Sequence, residues 1–165
     1  MVTNGQVVLH EEAVGLGRLE AIGATFARAL VGGDVVLLYG PLGAGKTALI
    51  RAISRALAVT DPVRSPSFTI ANIYSGAVTV QHLDLYRLDE IGDDDALALE
   101  EYVREDAVTL VEWPQAGVGR LGEPAWTVTM DHRTLEERDL EIVACSEQAA
   151  ERWRQAEKSH DWSDG

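Results

Sequence analysis

The sequence predicts a three-layer α/β domain built on a mixed sheet of about seven strands flanked by helices. Three observations point there. Val35–Tyr39 is a continuous apolar run, followed by "GPLGAGKT" and then a helical pattern, which is the order strand, glycine-rich loop, helix. "AVTLVEW" (107–113) is a second apolar run of the kind that fills a buried central strand. Two pairs of alternating segments, each pair joined by a polar turn, add antiparallel neighbours and make the sheet mixed.

Taken in order, Gln6–Leu9 reads as a first strand. Leu16, Leu19, Ile22, Phe26 and Leu30 recur at helical intervals, and "VGGD" (31–34) follows with glycines suited to a left-handed cap. Val35–Tyr39 is the buried strand before the loop, and Lys46–Leu57 the helix after it. The stretch 58–66, with two prolines, is a connecting loop. Phe68–Tyr74 and Val78–Asp84 form a hairpin around "SGA"; Trp126–Met130 and Leu140–Ala144 form another around "DHRTLEERD". "DDDALALEEYVRE" (93–105) reads as a helix with acids at its positive end. "EQAAERWRQAEKSHDW" (147–162) reads as a terminal surface helix on which Trp153 and Trp162 dock. No repeat or low-complexity linker intervenes, so the expectation is one domain over 1–146 and a helical tail over 147–165.

The chain has 165 residues, 46% hydrophobic and 25% charged, as expected of a globular protein with one sizeable core. Its 14 basic and 27 acidic residues give a net charge of −13. Such a surface repels phosphate backbones, which argues against tight, direct nucleic-acid binding by the isolated chain. Lys46 and Lys158 are the only lysines, and one lies in the glycine-rich loop. Cys145, the single cysteine, excludes an internal disulfide and reads as a structural thiol. No stretch reaches the ~18 apolar residues of a membrane span and no signal peptide opens the sequence, so the expected location is the cytoplasm, away from membranes.

Gly40, Gly45, Lys46 and Thr47 satisfy G-x-x-x-x-G-K-[ST], the phosphate-loop pattern, and make the fold P-loop NTPase-like. The spacing has a physical cause. Glycines let the loop curl so that backbone N–H groups of Leu42, Gly43, Ala44, Gly45, Lys46, Thr47 and Ala48 turn toward a β-phosphate, at the positive end of a helix. Lys46 supplies a mobile ammonium to the phosphates, and the Thr47 hydroxyl can ligate Mg²⁺. A Mg²⁺-nucleotide site also needs a carboxylate at the end of a neighbouring strand. Asp84 ends "VTVQHLD" and Glu112 ends "VTLVE", and either can face the metal or orient water. "VRSPSFTI" (63–70) follows the loop helix. Pro66 holds Ser65 extended, and the hydroxyls of Ser65, Ser67 and Thr69 form a segment that a γ-phosphate can order. The histidines show no metal-ligand spacing. No N-K-x-D sequence is present and no D-x-x-G follows Asp84, which favours ATP over GTP.

"GPLGAGKT", "SPSFT", "HLDLYRL" and "VEWP", in this order, resemble the bacterial TsaE family, the small ATPase required for threonylcarbamoyladenosine modification of tRNA. The resemblance covers Leu16–Ala144. It implies that residues 42–47 hold the phosphates of ATP, that Thr47 binds Mg²⁺ with Glu112 near the metal, and that Asp84 is a switch-type acid. Ser65, Pro66, Ser67 and Phe68 become the first switch segment, and Arg138 approaches the nucleotide. Two departures stand out: Ser67 replaces the usual threonine, and the first helix lacks the threonine common near its start, so no adenine contact is assigned there. The resemblance also implies partners, TsaD and TsaB. TsaD transfers the threonylcarbamoyl group to adenosine 37 of tRNAs reading ANN codons, and the ATPase resets the complex between turnovers.

No arginine is clearly placed for the transition state, Arg87 being the nearest, so slow intrinsic turnover stimulated by partners is expected. Two other functions share the motif. A small-molecule kinase would need an arginine-bearing lid, whereas the region after Pro114 offers only the scattered Arg120, Arg133 and Arg138. A nucleotide-gated binding module would need ATP but not its hydrolysis.

Overall fold

The computed structural model describes residues 5–66, 71–86, 97–116 and 119–160. Seven strands form one sheet: β1 (Gln6–Val14), β2 (Val35–Tyr39), β3 (Ala71–Tyr74), β4 (Thr79–Asp84), β5 (Ala107–Glu112), β6 (Trp126–His132) and β7 (Arg138–Ala144). Their order is β1-β7-β6-β2-β5-β4-β3. The central strands β6, β2, β5 and β4 run parallel, and antiparallel pairs close both edges. The mixed sheet is thus the one the two hairpins predict. Among the described residues the α-helices are α1 (Leu16–Ala29), α2 (Lys46–Ala56) and α3 (Glu147–His160).

Alternation along the strands divides the interior in two. Val36, Leu38, Val108, Leu110, Val128 and Met130 face the helices, with Leu19, Ile22, Phe26, Ile50 and Ile53 packed on them. Val35, Leu37, Leu83 and Val111 face the other way and are covered by Leu99 and Leu121. At the base of the first layer, Phe26, Trp126 and Trp153 form an edge-on aromatic cluster with centroids 5.1 to 6.3 Å apart. Buried Asp34 sits beside it, accepting from Trp126 Nε1 at 3.1 Å and from Arg152 Nη2 at 2.8 Å. α3 is therefore tied into the core through both Arg152 and Trp153.

Three expectations need correction. The first strand is longer than Gln6–Leu9 and runs to Val14 as a bulged edge strand; one solvated face hides its extent from a hydrophobicity reading. The "VGGD" glycines do not cap α1, which ends at extended Leu30; only Gly33 takes a positive φ, of 96°, in the turn into β2. The expected helix over 93–105 is a 3₁₀ segment confined to Leu97–Tyr102 among the described residues. Buried Leu99 and its neighbour on the sheet, Tyr102, lie three residues apart, the repeat of a 3₁₀ turn rather than of an α-helix. Asp93–Asp95, Phe68–Ile70 and Trp162 lie outside the described residues.

α1 and α2 touch at Gly23, where an added Cβ would stand 2.5 Å from Ala52 Cβ and 3.1 Å from its backbone. Backbone cannot swing aside. Gly23→Ala would gain about 1 kcal/mol of helix propensity but force apart a packed interface at about 3 kcal/mol. A net loss of about 2 kcal/mol in chemical denaturation is expected.

Candidate functional site

The loop between β2 and α2 stands at the carboxyl edge of the parallel strands, the edge where open α/β sheets bind ligands. β2 turns sharply at Gly40, where a side chain would collide with the Met130 carbonyl oxygen of β6. Gly43 and Gly45 follow with φ of 78° and 102°, and Gly45 precedes the first turn of α2. His132 Nε2 donates to the Leu42 carbonyl at 2.9 Å and fixes the loop tip from β6. The glycines are therefore required by backbone shape, as the spacing predicts.

Two carboxylates are delivered by strand register. Asp84 and Glu112 are direct partners across β4 and β5, and Leu38 pairs with Glu112 across β2. Leu110 and Glu112 share the α2 face of β5, so Glu112 meets the start of α2. Thr47 Oγ1 donates to Glu112 Oε1 at 3.1 Å and also lies 3.0 Å from Ser65 Oγ. Lys46, the first residue of α2, is buried. Its ammonium donates to the carbonyl oxygens of Gly40 and, at 3.5 Å, of Pro41, and lies 3.7 Å from the centre of the Trp113 ring. Leu42, Gly43, Gly45, Lys46, Thr47, Ala48, Ser65, Asp84, Glu112 and Trp113 line a cleft of about 200 Å³. Ala44, by contrast, is wholly buried beneath the loop.

The electrostatics are unrelieved. Burial pulls the Lys46 ammonium below its ordinary pKa, although Glu112 and Asp84 oppose the shift. Burial likewise pushes the Asp84 carboxyl up, with Glu112 adding repulsion and the Tyr86 N–H opposing it. Burial disfavours the charged form of both groups, the condition expected of a site that takes up counter-charges. Among the described residues no group of three or more His, Cys, Asp or Glu side chains is placed to hold a metal. A metal here would need oxygens from a ligand besides those of Thr47 and the carboxylates.

Arg138 packs against the same loop but is not among the residues that line the cleft. It opens β7, on the β6 flank of β2, with its side chain packed beneath the loop. Its Cδ and Nε are 3.2 Å from where a Gly45 Cβ would be, and Nη1 is buried without a hydrogen-bond partner. Ser65 and Pro66 precede β3 beside Thr47, whereas Ser67, Phe68 and Arg87 are outside the described residues. Three contributors escape a reading of spacing alone: His82, His132 and Trp113. Trp113 holds a φ of 54° immediately after Glu112, which turns its ring toward Lys46 and Tyr86. Cys145 is half-buried, and burial raises its thiol pKa, consistent with a structural role.

The family model for threonylcarbamoyl adenosine biosynthesis protein TsaE matches residues 16–140. The chain belongs to the TsaE family. The tRNA threonylcarbamoyladenosine biosynthesis protein TsaE of Treponema pallidum is 34% identical over 121 residues, covering 73% of this chain and 88% of its own length. The TsaE of Bacillus subtilis is 33% identical over 140 residues and 84% of each chain. The crystal structure of Bacillus subtilis YdiB superposes with a TM-score of 0.78 at 27% identity, covering 95% of this chain and 97% of that one. The TsaE match includes the glycine-rich loop, both carboxylates and Arg138. No described helix of this TsaE chain is long and apolar enough to cross a membrane.

Proposed function

We propose that this chain is an ATP-binding and ATP-hydrolysing component of threonylcarbamoyladenosine synthesis on tRNA. The observation that carries the proposal is the convergence of Lys46, Thr47 and Glu112 on a loop bent by three positive-φ glycines. The loop amides and the Lys46 ammonium bind the triphosphate. Thr47 and Glu112, with Asp84 alongside, would hold a Mg²⁺ ion, and a hydroxyl with one or two carboxylates fits that ion's habit of taking its remaining oxygens from phosphates and water. The ion would neutralise phosphate charge. Glu112 or Asp84 orients the attacking water, and Arg138 approaches the nucleotide from the β7 side.

Lys46 is the only cation lining the cleft among the described residues, so intrinsic turnover is slow and a partner raises it. The partners are TsaD and TsaB, which hold the tRNA while this chain of net charge −13 does not. Ser65 and Asp84 change arrangement between ATP and ADP, and that change resets the TsaD–TsaB complex in the cytoplasm between rounds. Reconstitution tests this: the full chain, ATP, Mg²⁺, the partner pair and tRNA, with modified adenosine counted over many turnovers. Sustained turnover only with this chain and ATP is expected. Equal turnover without the chain, or no calorimetric affinity for ATP or ADP, would overturn it.

A further inference from the structure

We propose that His82 is a positioning residue for Glu112, holding the carboxylate in the orientation that faces Thr47 and the cleft. The proposal rests on the nucleotide-site reading above and adds to it a residue that never touches the cleft itself. His82 lies one alternation before Asp84 on β4, in register with Leu110 of β5. Its side chain is fully buried, and Nε2 stands 2.6 Å from Glu112 Oε2. At that distance the imidazole is placed to donate Nε2–H to the carboxylate oxygen. Nδ1 is left buried with no partner. An apolar side chain would fill the position without stranding a nitrogen, so packing alone does not account for an imidazole here.

Competition for Thr47 shows what the imidazole provides. The Thr47 hydroxyl has one proton and three acceptor oxygens within reach, Glu112 Oε1 at 3.1 Å, Glu112 Oε2 at 3.3 Å and Ser65 Oγ at 3.0 Å. Whenever that proton goes to Ser65, or the hydroxyl turns its lone pairs to a cation, Thr47 ceases to be a constant anchor. Nε2–H of His82 has no competing acceptor among the described hydrogen bonds. Glu112 is therefore fixed from behind by β4, whatever Thr47 does in front. Partners of this kind, one bond removed from a metal-facing ligand, change metal affinity or rate by about 10- to 100-fold.

Three substitutions separate positioning from packing. Glutamine can place an amide N–H where Nε2 stands, asparagine falls short of it, and leucine fills the space with no donor. ADP affinity is measured by calorimetry in EDTA and in Mg²⁺, the magnesium dependence of single-turnover phosphate release is followed, and melting curves confirm folding. In His82→Leu and His82→Asn, ADP affinity in EDTA should stay within about twofold while release slows and the magnesium requirement rises by about 10-fold or more. His82→Gln should return both to within about threefold of the parent. Parental magnesium dependence in folded His82→Leu would overturn the proposal. So would glutamine behaving as leucine does, or an equal loss of ADP affinity with and without magnesium. A parent chain that binds no ADP in either condition would remove the underlying nucleotide reading, a result distinct from a flat series of His82 variants.

Discussion

Lys46→Met should remain folded and lose ATP affinity by about 100-fold or more, the usual cost of deleting one member of a desolvated charge pair. The ammonium is enclosed by the Gly40 and Pro41 carbonyls and the face of Trp113, so its position is set before any ligand arrives. Methionine keeps an apolar stem that packs there and removes the charge together with the N–H donors to the Gly40 and Pro41 carbonyls. Stability should not fall with it. Burial lowers the Lys46 pKa below 10.5, so the charged form is disfavoured in the folded chain. That cost is fully present below the folded-state pKa and disappears as pH rises through it toward the unfolded value. The melting temperature of Lys46→Met at neutral pH should thus equal or exceed the parent's, with any advantage shrinking in alkali. Calorimetry and melts on the same samples check both halves. Parental ATP affinity would detach Lys46 from phosphate binding, and a collapsed melt would make it a structural residue.

Asp84 extends the same logic with the opposite group. Its folded pKa is raised above 3.8, chiefly by burial, so its neutral form is favoured. The corresponding stabilisation is complete below the unfolded pKa and is lost as pH rises through the folded one. Burial thus disfavours the charged form of two groups of opposite sign, Lys46 and Asp84, that line one cleft. A triphosphate relieves the first and a divalent cation the second. Nucleotide and metal should consequently stabilise the fold more together than either does alone, because each removes a penalty the other leaves in place.

How much of this the sequence could reveal depends on the range of each interaction. The loop and its flanking strand and helix are local, and Val35–Tyr39 and Lys46–Ala56 lie where the apolar run and the G-K-T spacing put them. Asp84 and Glu112 are legible as strand-end acids, but their pairing is a property of register between β4 and β5, which no single strand encodes. His82 escapes for that reason. Alternation puts it on the same face as Asp84, yet only the neighbouring strand makes it a partner of Glu112. Trp113 depends on a left-handed backbone that a bulky residue rarely adopts, so nothing local announces it. The far end of β1, up to Val14, is hidden because an edge strand with few buried residues carries little apolar pattern. The 3₁₀ form of Leu97–Tyr102 is hidden because so short an apolar repeat does not tell a 3₁₀ turn from an α-helix.

Glu112→Gln should retain ATP and lose hydrolysis, with phosphate release falling by about 100- to 1,000-fold, the range for removing one preorganised catalytic group. The substitution is chosen for what it preserves. Glutamine has the volume of glutamate, and its amide oxygen can still accept from His82 Nε2, so the buried imidazole keeps its partner. Alanine would strand His82 and confuse a lost catalyst with a damaged core. What glutamine removes is the negative charge facing Thr47 and any capacity to draw a proton from water. Asp84 remains on the neighbouring strand, so a release rate near the parent's would assign the water-orienting role to Asp84 instead. With hydrolysis lost, reconstituted modification separates the cycling ATPase from a gate that only needs occupancy. Under the first, ATP-loaded Glu112→Gln completes a single round and then stalls, because the nucleotide state that releases the partners never forms. Under the second, many rounds continue at the parent's rate with ATP uncleaved. A stall after the first round would tie bond cleavage to resetting, since binding, fold and the His82 contact are all kept in that variant.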